Sequence, residues 1–225
     1  MNQVKLKDGT NLPVEVLTIE DLPEVKQLQA KVFESLANRA FLQPLEEEDF
    51  LNILGGNGVV IGVRSGGRLI AFRAMLDPGE DPEHLAKDAR IPKEEWSTVL
   101  YSEITNVDPE FQGNGLQRQL GTIVFNEVDT NKYHYICATV APYNIASIKD
   151  KLALGMHIAA LSIKYETLTR YIMLKNLKKD VEKAANDTRK VSMGAIDEQQ
   201  QLLKEGWIGT SIHEDQEGWT VVYQK

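Results

Sequence analysis

The chain has 225 residues, of which 42% are hydrophobic and 26% charged, a balance that fits a folded globular protein and is too apolar for disorder. Area scaling predicts that folding hides roughly 70% of the unfolded surface, enough for a core without staples. A net charge of -8 argues against nonspecific binding to nucleic acid or to an anionic membrane, because both need a positive surface.

One cysteine, Cys137, allows no internal disulfide. With no apolar leader and no membrane-length run, a cytoplasmic chain with no membrane partner is expected. The opening Val4-Lys5-Leu6-Lys7 alternates, and Asp8-Gly9 marks a turn. Pro13 to Leu17 reads as a short strand. Thr18 reads as an N-cap with Glu20 and Asp21 in the first turn. Leu22, Val25, Leu28, Val32 and Leu36 then follow at helical spacing, predicting one amphipathic helix to about Asn38. Pro44 and the acidic run Glu46 to Asp49 open a second helix that stops at Gly55-Gly56. Strands at Val59–Val63 and Arg68–Met75 flank Ser65-Gly66-Gly67, a hairpin pattern. Asp77 to Trp96 reads as an excursion of short turns outside the core. A strand from Thr98 to Val107 runs into Pro109.

After it come a helix (Gly115–Val128), a strand (Tyr133–Val140), a helix (Asn144–Leu154) and strands at His157–Tyr165 and Arg170–Leu174. No internal repeat and no low-complexity segment is visible. The basic run Lys175 to Lys179 reads as a solvated strand end. Composition shifts near Asp180, where residues to Arg189 are charged and poor in large apolar side chains. A helical run at Gly194–Leu203 and two strands, Gly206–Thr210 and Trp219–Tyr223, then form a small hairpin appendage. The expected division is a main domain over 1–178 and an appendage over 179–225. The appendage is too small to stand alone, so it should pack on the main domain or on a partner.

The segment Asn106-Val107-Asp108-Pro109-Glu110-Phe111-Gln112-Gly113-Asn114-Gly115-Leu116-Gln117 carries the chemistry. Here a strand enters a proline-marked turn and a glycine-rich bend opens a helix. Glycines let consecutive amides point into one concavity, and a helix start adds partial positive charge, so a pyrophosphate could be held. A Walker loop would need Gly-Lys-Ser or Gly-Lys-Thr, which is absent. A dinucleotide fingerprint would need a third glycine where Arg118 stands, after the first strand of a doubly wound sheet. On these residues alone, a ligand-free glycine-assisted helix start stays open.

The segment resembles motif A of the GNAT superfamily of N-acetyltransferases. Gln112 and Gly115 match the family's Gln or Arg, two free positions and Gly-x-Gly or Gly-x-Ala, with Gly113 in the first free position. Val107-Asp108-Pro109 stands where the family has Val-x-Pro, and Gln117 replaces the final small residue. Ala138 to Ser147 is similar to the family's fifth strand and following helix, and Leu152-Ala153-Leu154-Gly155-Met156 to its "Lys-x-Gly-Phe" ending. The resemblance covers about residues 13–176. It implies an α+β fold, with a twisted, mostly antiparallel central sheet flanked by helices, to which the C-terminal helix and hairpin are added. A splay between the fourth and fifth core strands would fall near Val107 and Thr139.

The resemblance also implies acetyl-CoA as acyl donor and a primary amine as acceptor, on a small molecule or a lysine-bearing protein. Val107 would bind through its backbone. Gln112, Gly113, Asn114, Gly115, Leu116 and Gln117 would hold the diphosphate, and Asn144 and Ser147 the pantetheine or phosphate arm. An alkyl amine of pKa about 10.4 is nucleophilic in about one part in 2,500 at pH 7, a handicap of roughly 4–5 kcal/mol that a base relieves. Glu103, the one charge inside its strand and four residues before Val107, is the candidate base. A salt-bridged or solvated strand glutamate is the competing account. Tyr101, Thr105 and Thr139 are candidates for the substrate pocket, while Asp108 reads as structural.

Relatives place a tyrosine seven residues after the asparagine. Here that position is Lys151, expected at the surface. Tyr143 adjoins the asparagine and faces elsewhere. Two further readings remain: a noncatalytic acyl-CoA-binding module, and a transferase of longer acyl chains with Ala159 and Ala160 beside the thioester. His84, His134, His157 and His213 show no ligand spacing, so no metal is expected. Cys137 reads as a buried inert thiol. Trp96, Tyr165, Arg170 and Tyr171 could contribute to an acceptor pocket, although ordinary packing accounts for them as well. The late strands and tail are where two copies could pair as a homodimer.

Overall fold

The computed structural model describes residues 2–179 and 187–225, so most of the charged stretch read from Asp180 to Arg189 lies outside the described residues. The chain begins with β1 (Gln3–Lys5), β2 (Asn11–Val16), α1 (Leu22–Ser35) and α2 (Glu47–Asn52). β3 (Gly58–Ser65), β4 (Arg68–Leu76), α3 (Leu85–Asp88) and β5 (Val99–Val107) follow. Then come α4 (Leu116–Asn126), β6 (Tyr135–Val140), α5 (Ile145–Ala153), β7 (His157–Lys164) and β8 (Leu168–Asn176). β9 (Thr188–Ser192), α6 (Ile196–Lys204), β10 (Ile208–Asp215) and β11 (Gly218–Gln224) end it. No helix among the described residues is long and apolar enough to cross a membrane.

Two compact units are formed. The first holds residues 1–78 and 100–129. Its strands run β1-β2-β3-β4-β5, each pair antiparallel. The apolar stripe of α1 (Val25, Leu28, Val32) packs with Phe50, Ile53, Val60, Leu69, Phe72, Ala74 and Ile104. Each large side chain buried there contributes on the order of 1.5–3 kcal/mol. Phe72 and Ala74 point into that core, while Arg73 between them points the other way, over the Phe125 ring of α4 at 5.2 Å. Arg64 ties β3 to β2 and the start of α1 through Glu15, Asp21 and Glu24.

The second unit holds residues 79–99 and 130–225, with strands in the order β6-β8-β7-β10-β11-β9, again antiparallel throughout. The excursion expected outside the core contributes to it. Leu85, Ala86 and Ile91 are buried, His84 stacks on Trp96 at 5.1 Å, and Lys164 reaches Asp88 at 2.7 Å. Short turns rich in proline still bury side chains when their few apolar residues share one side.

The C-terminal segment contains the expected helix (α6) and hairpin (β10 and β11). It adds β9, unforeseen because only Val191 of its five residues is buried. It is also a repeat in structure, though none shows in the sequence. β6-α5-β7-β8 and β9-α6-β10-β11 have the same connectivity, and in both the last strand lies between the other two. α5 and α6 are nine residues each, and β7 and β10 eight each, displaced by 51 positions. Bonds to backbone carbonyls at the helix ends coincide at that displacement: Gly155 to Leu152 and Met156 to Lys151 match Gly206 to Leu203 and Trp207 to Leu202. Both copies carry a bulge in the following strand, between Ile158 and Ala160 and between Gly209 and Ser211. The copies meet where β7 and β10 pair, Ile158 opposite Gly209, which are equivalent positions. A side chain at 209 would lie 2.9 Å from the Ile158 Cβ, so glycine alone permits this approach.

Candidate functional site

The glycine bend lies in the first unit. Gly113 and Gly115 take positive φ, +80° and +69°, so chain direction reverses without a Cβ penalty. Gly115 is the N-cap of α4 and supplies no capping side chain, and the first turn has no acidic residue. The amides of Glu110, Phe111 and Gln112 are bonded to Asp108 and Pro109. The next five, Gly113 to Gln117, have no acceptor among the described residues. The glycines are open as well: a Cβ added at 113 would meet only the Lys7 Nζ, at 3.6 Å, and one at 115 only the Gln119 Nε2, at 3.9 Å.

Several side chains hold this bend. Asn114 Oδ1 accepts from the Lys7 amide at 2.9 Å, and its Nδ2 donates to the Phe111 carbonyl at 2.9 Å. Gln119 pairs with both backbone groups of Lys5, at 2.7 and 3.0 Å, and donates to the Asn114 carbonyl at 3.0 Å. Thus β1 is clamped to the bend and delivers Lys7 beside Gly113. Buried Arg73 donates to the Gln117 carbonyl at 3.2 Å and to Ser102 Oγ at 2.9 Å. Asp108 has the structural role expected of it: its amide bonds to Ile70 and its carboxylate takes Lys31 at 2.9 Å. Burial acts to raise that carboxyl, but the Lys31 bond and the Glu110 amide outweigh it and hold the pKa below its ordinary value. Lys7, Arg73 and Gln119 are additions to the sequence reading. A visible hint existed for one of them, an arginine inside the apolar run Leu69 to Met75.

In β5, Glu103, Thr105 and Val107 are half-buried and Tyr101 is buried. Glu103 is the extra residue of a bulge, since Ala74 pairs with Ile104 and Met75 with Ser102. A bulge re-aims the side chain it carries and interrupts strict alternation, so spacing alone does not put Tyr101 on Glu103's face. Thr105 Oγ1 is buried without a hydrogen-bond partner among the described residues.

Thr139, Asn144 and Ser147 belong to the second unit. Asn144 is the N-cap of α5, its Oδ1 accepting from the Ser147 amide at 3.2 Å. Thr139 Oγ1 lies 3.2 Å from the hydroxyl of Tyr165, beneath Arg170. Lys151, expected at the surface, is buried, 3.7 Å from the equally buried Asp150. Its position on α5 is shielded from solvent. Tyr171 is wholly buried and donates to Gln199 at 2.7 Å, and Trp96 donates to the Ile91 carbonyl at 2.9 Å, so packing accounts for both. Cys137 is buried as expected, and burial pushes its thiol far above its ordinary pKa.

The fold matches that of solved N-acetyltransferases, among them a GNAT domain. The chain is similar to yncA of Salmonella typhimurium, described as an acetyltransferase and solved with acetyl-CoA: 16% identity, TM-score 0.56, covering 77% of this chain and 98% of that one. It is also similar to the ribosomal-protein-S18-alanine N-acetyltransferase of Escherichia coli, at 18% identity and TM-score 0.55, covering 76% and 97%. The GNAT domain of PAT from S. lividans matches at 18% identity and TM-score 0.52, covering 78% and 96%. No protein-family model and no curated protein sequence matches the chain.

Proposed function

We propose that the protein is an N-acetyltransferase that moves an acetyl group from acetyl-CoA to a primary amine. The row of open amides from Gly113 to Gln117, at the start of α4 in a chain of this fold, carries the reading. Such a row, at the positive end of a helix, suits a diphosphate. Lys7 adds a cation beside it, and Arg73 fixes the first turn from below. Asn144 and Ser147 are the proposed contacts to the pantetheine arm, and Val107 binds through its backbone.

Acetyl-CoA, when bound, supplies a thioester carbonyl for attack and a thiol that leaves. The chain's own task is to free the amine of its extra proton. Glu103 is proposed for this, re-aimed by its bulge and only half-buried. Tyr101, Thr105 and Thr139 are the proposed acceptor-pocket residues. The acceptor itself is an amine on a small molecule or a protein.

A second reading is favoured by one observation. Seven residues after Asn144 stands a buried lysine and not a tyrosine, which suits binding without turnover. Release of CoA thiol from acetyl-CoA, measured against a panel of amines and lysine-bearing peptides, separates the two. Sustained release supports the transferase. Saturable binding without release makes the protein an acyl-CoA-binding module, and faster release from longer acyl-CoA makes it a transferase of longer chains. Absence of any CoA binding overturns all three.

A further inference from the structure

The turn that precedes α5 is unusual in its backbone. Tyr143 takes φ +64°, the left-handed region that a bulky residue adopts only when its surroundings hold it there. Those surroundings come from the C-terminal repeat. The Tyr143 amide donates to Met193 Sδ at 3.1 Å, and the tyrosine hydroxyl sits 2.9 Å from where a Cβ on Gly194 would lie. Gly194 is the position equivalent to Tyr143 itself, 51 residues on. So the two copies touch at their paired strands and at their equivalent turns, and α6 of the second also reaches the first through Gln200, which donates to the Leu161 carbonyl at 2.9 Å. Met193 is wholly buried, its amide bonded to the Trp219 carbonyl at 2.8 Å. Gln199, also wholly buried, ties the assembly together: it accepts from the hydroxyls of Tyr171 (2.7 Å) and Tyr223 (2.9 Å) and donates to the Met193 carbonyl (2.8 Å).

The repeat is not built as a second anion site. Its helix starts on Ala195 where α5 has Asn144, and Asp197 and Glu198 occupy its first turn. Two carboxylates there would repel a phosphate.

We infer that the C-terminal repeat is a positioning device. Met193 and Gly194 hold Tyr143 in its left-handed conformation, and thereby fix the Asn144 cap and the first turn of α5. The geometry stands by itself, whereas its consequence for CoA affinity rests on the proposed function. Fused in this way, the second copy supports the first without duplicating its site.

The test uses the full chain, with two readouts. One is amide hydrogen exchange without ligand; the other is CoA affinity by calorimetry. Gly194→Leu forces the Tyr143 ring aside. Exchange at the Ser147 and Ile148 amides should speed about tenfold, with Val221 unchanged as a control on global folding. CoA binding should weaken about tenfold. Tyr143→Gly added to Gly194→Leu should restore both to within about threefold, because glycine takes the left-handed conformation without support. A merely structural contact would not show this rescue. If Val221 loses protection in Gly194→Leu, Met193→Leu decides instead: it keeps the volume, removes the sulfur acceptor, and should speed the same amides about threefold.

Wild-type exchange at Ser147 and Ile148 in the deciding variant, or a double variant that rescues neither readout, overturns the inference. A wild-type chain that binds no CoA overturns the proposed function instead, and the exchange data then decide the inference alone.

Discussion

The helices α4 and α6 both start on a residue with no capping side chain, Gly115 in one and Ala195 in the other. α6 then places Asp197 and Glu198 in its first turn, so its own carboxylates answer the positive end of the helix. α4 has no acid in its first turn, and five amides, Gly113 to Gln117, have no acceptor among the described residues. The start of α6 thus carries negative charge of its own, whereas the start of α4 leaves its first amides to water or to an anion. Two helices of one chain meet the same electrostatic demand differently, and only α4 leaves room for an outside anion, the premise of the proposed function.

The largest expected effect comes from filling the open end. Gly115→Trp puts an indole over the amides and a side chain on a left-handed residue. CoA binding should fall below detection by calorimetry, a loss of at least about a thousandfold. Next is a change that separates holding the anion from moving the proton. Glu103→Gln should lower kcat about a hundredfold at pH 7, with the deficit shrinking above pH 8 and the Kd for CoA unchanged. Full activity of this variant at pH 7 would remove Glu103 as the base.

A smaller effect comes from giving α4 the solution that α6 uses. Gln117→Glu places a carboxylate in the first turn. CoA affinity should drop about tenfold while stability rises by about 0.5 kcal/mol, measured by urea unfolding. Opposite signs are the diagnostic outcome. CoA affinity left unchanged by this carboxylate would mean that the bend is no anion site for CoA.

The smallest effect compares the two copies at one position. His157 opens β7, and its equivalent in the repeat is Ile208. Burial lowers the His157 pKa to about 4, and its Nδ1 has no partner among the described residues. The folded pKa lies below the unfolded value of about 6.5, so the unfolded chain binds the extra proton first. Stability from this group is therefore full above pH 6.5 and is lost as pH falls toward 4. Between pH 7.5 and 5.5 the wild type should lose about 1 kcal/mol from this group. His157→Ile should remove that slope, as read from urea midpoints at the two pH values. An unchanged slope would put the titration elsewhere.

The predicted elements that held were those written in local pattern. The stripe Val25, Leu28, Val32 gave α1, the Gly-Asn-Gly bend gave the start of α4, and Asn144 appears as the N-cap of α5. What stayed hidden depends on partners. The bulge at Glu103 is set by the register against β4, which no spacing within β5 reveals. β9 has the composition of a charged linker because an edge strand needs only one buried side chain, here Val191. The repeat is hidden because few residues recur at the displacement, Ile145 as Ile196, Leu152 as Leu203 and Gly155 as Gly206, while others differ, Asn144 against Ala195 and Ser147 against Glu198. Lys151 reads as a surface lysine by type, and only the packing of α5 buries it beside Asp150.

In the proposed function the amides from Gly113 to Gln117 receive the diphosphate of CoA. An amide-resolved NMR titration of the 15N-labelled chain, with CoA and separately with pantetheine, tests it most directly. Those five amides should shift strongly with CoA and not with pantetheine, which lacks the diphosphate. Saturable CoA binding that leaves the five amides unmoved would contradict it.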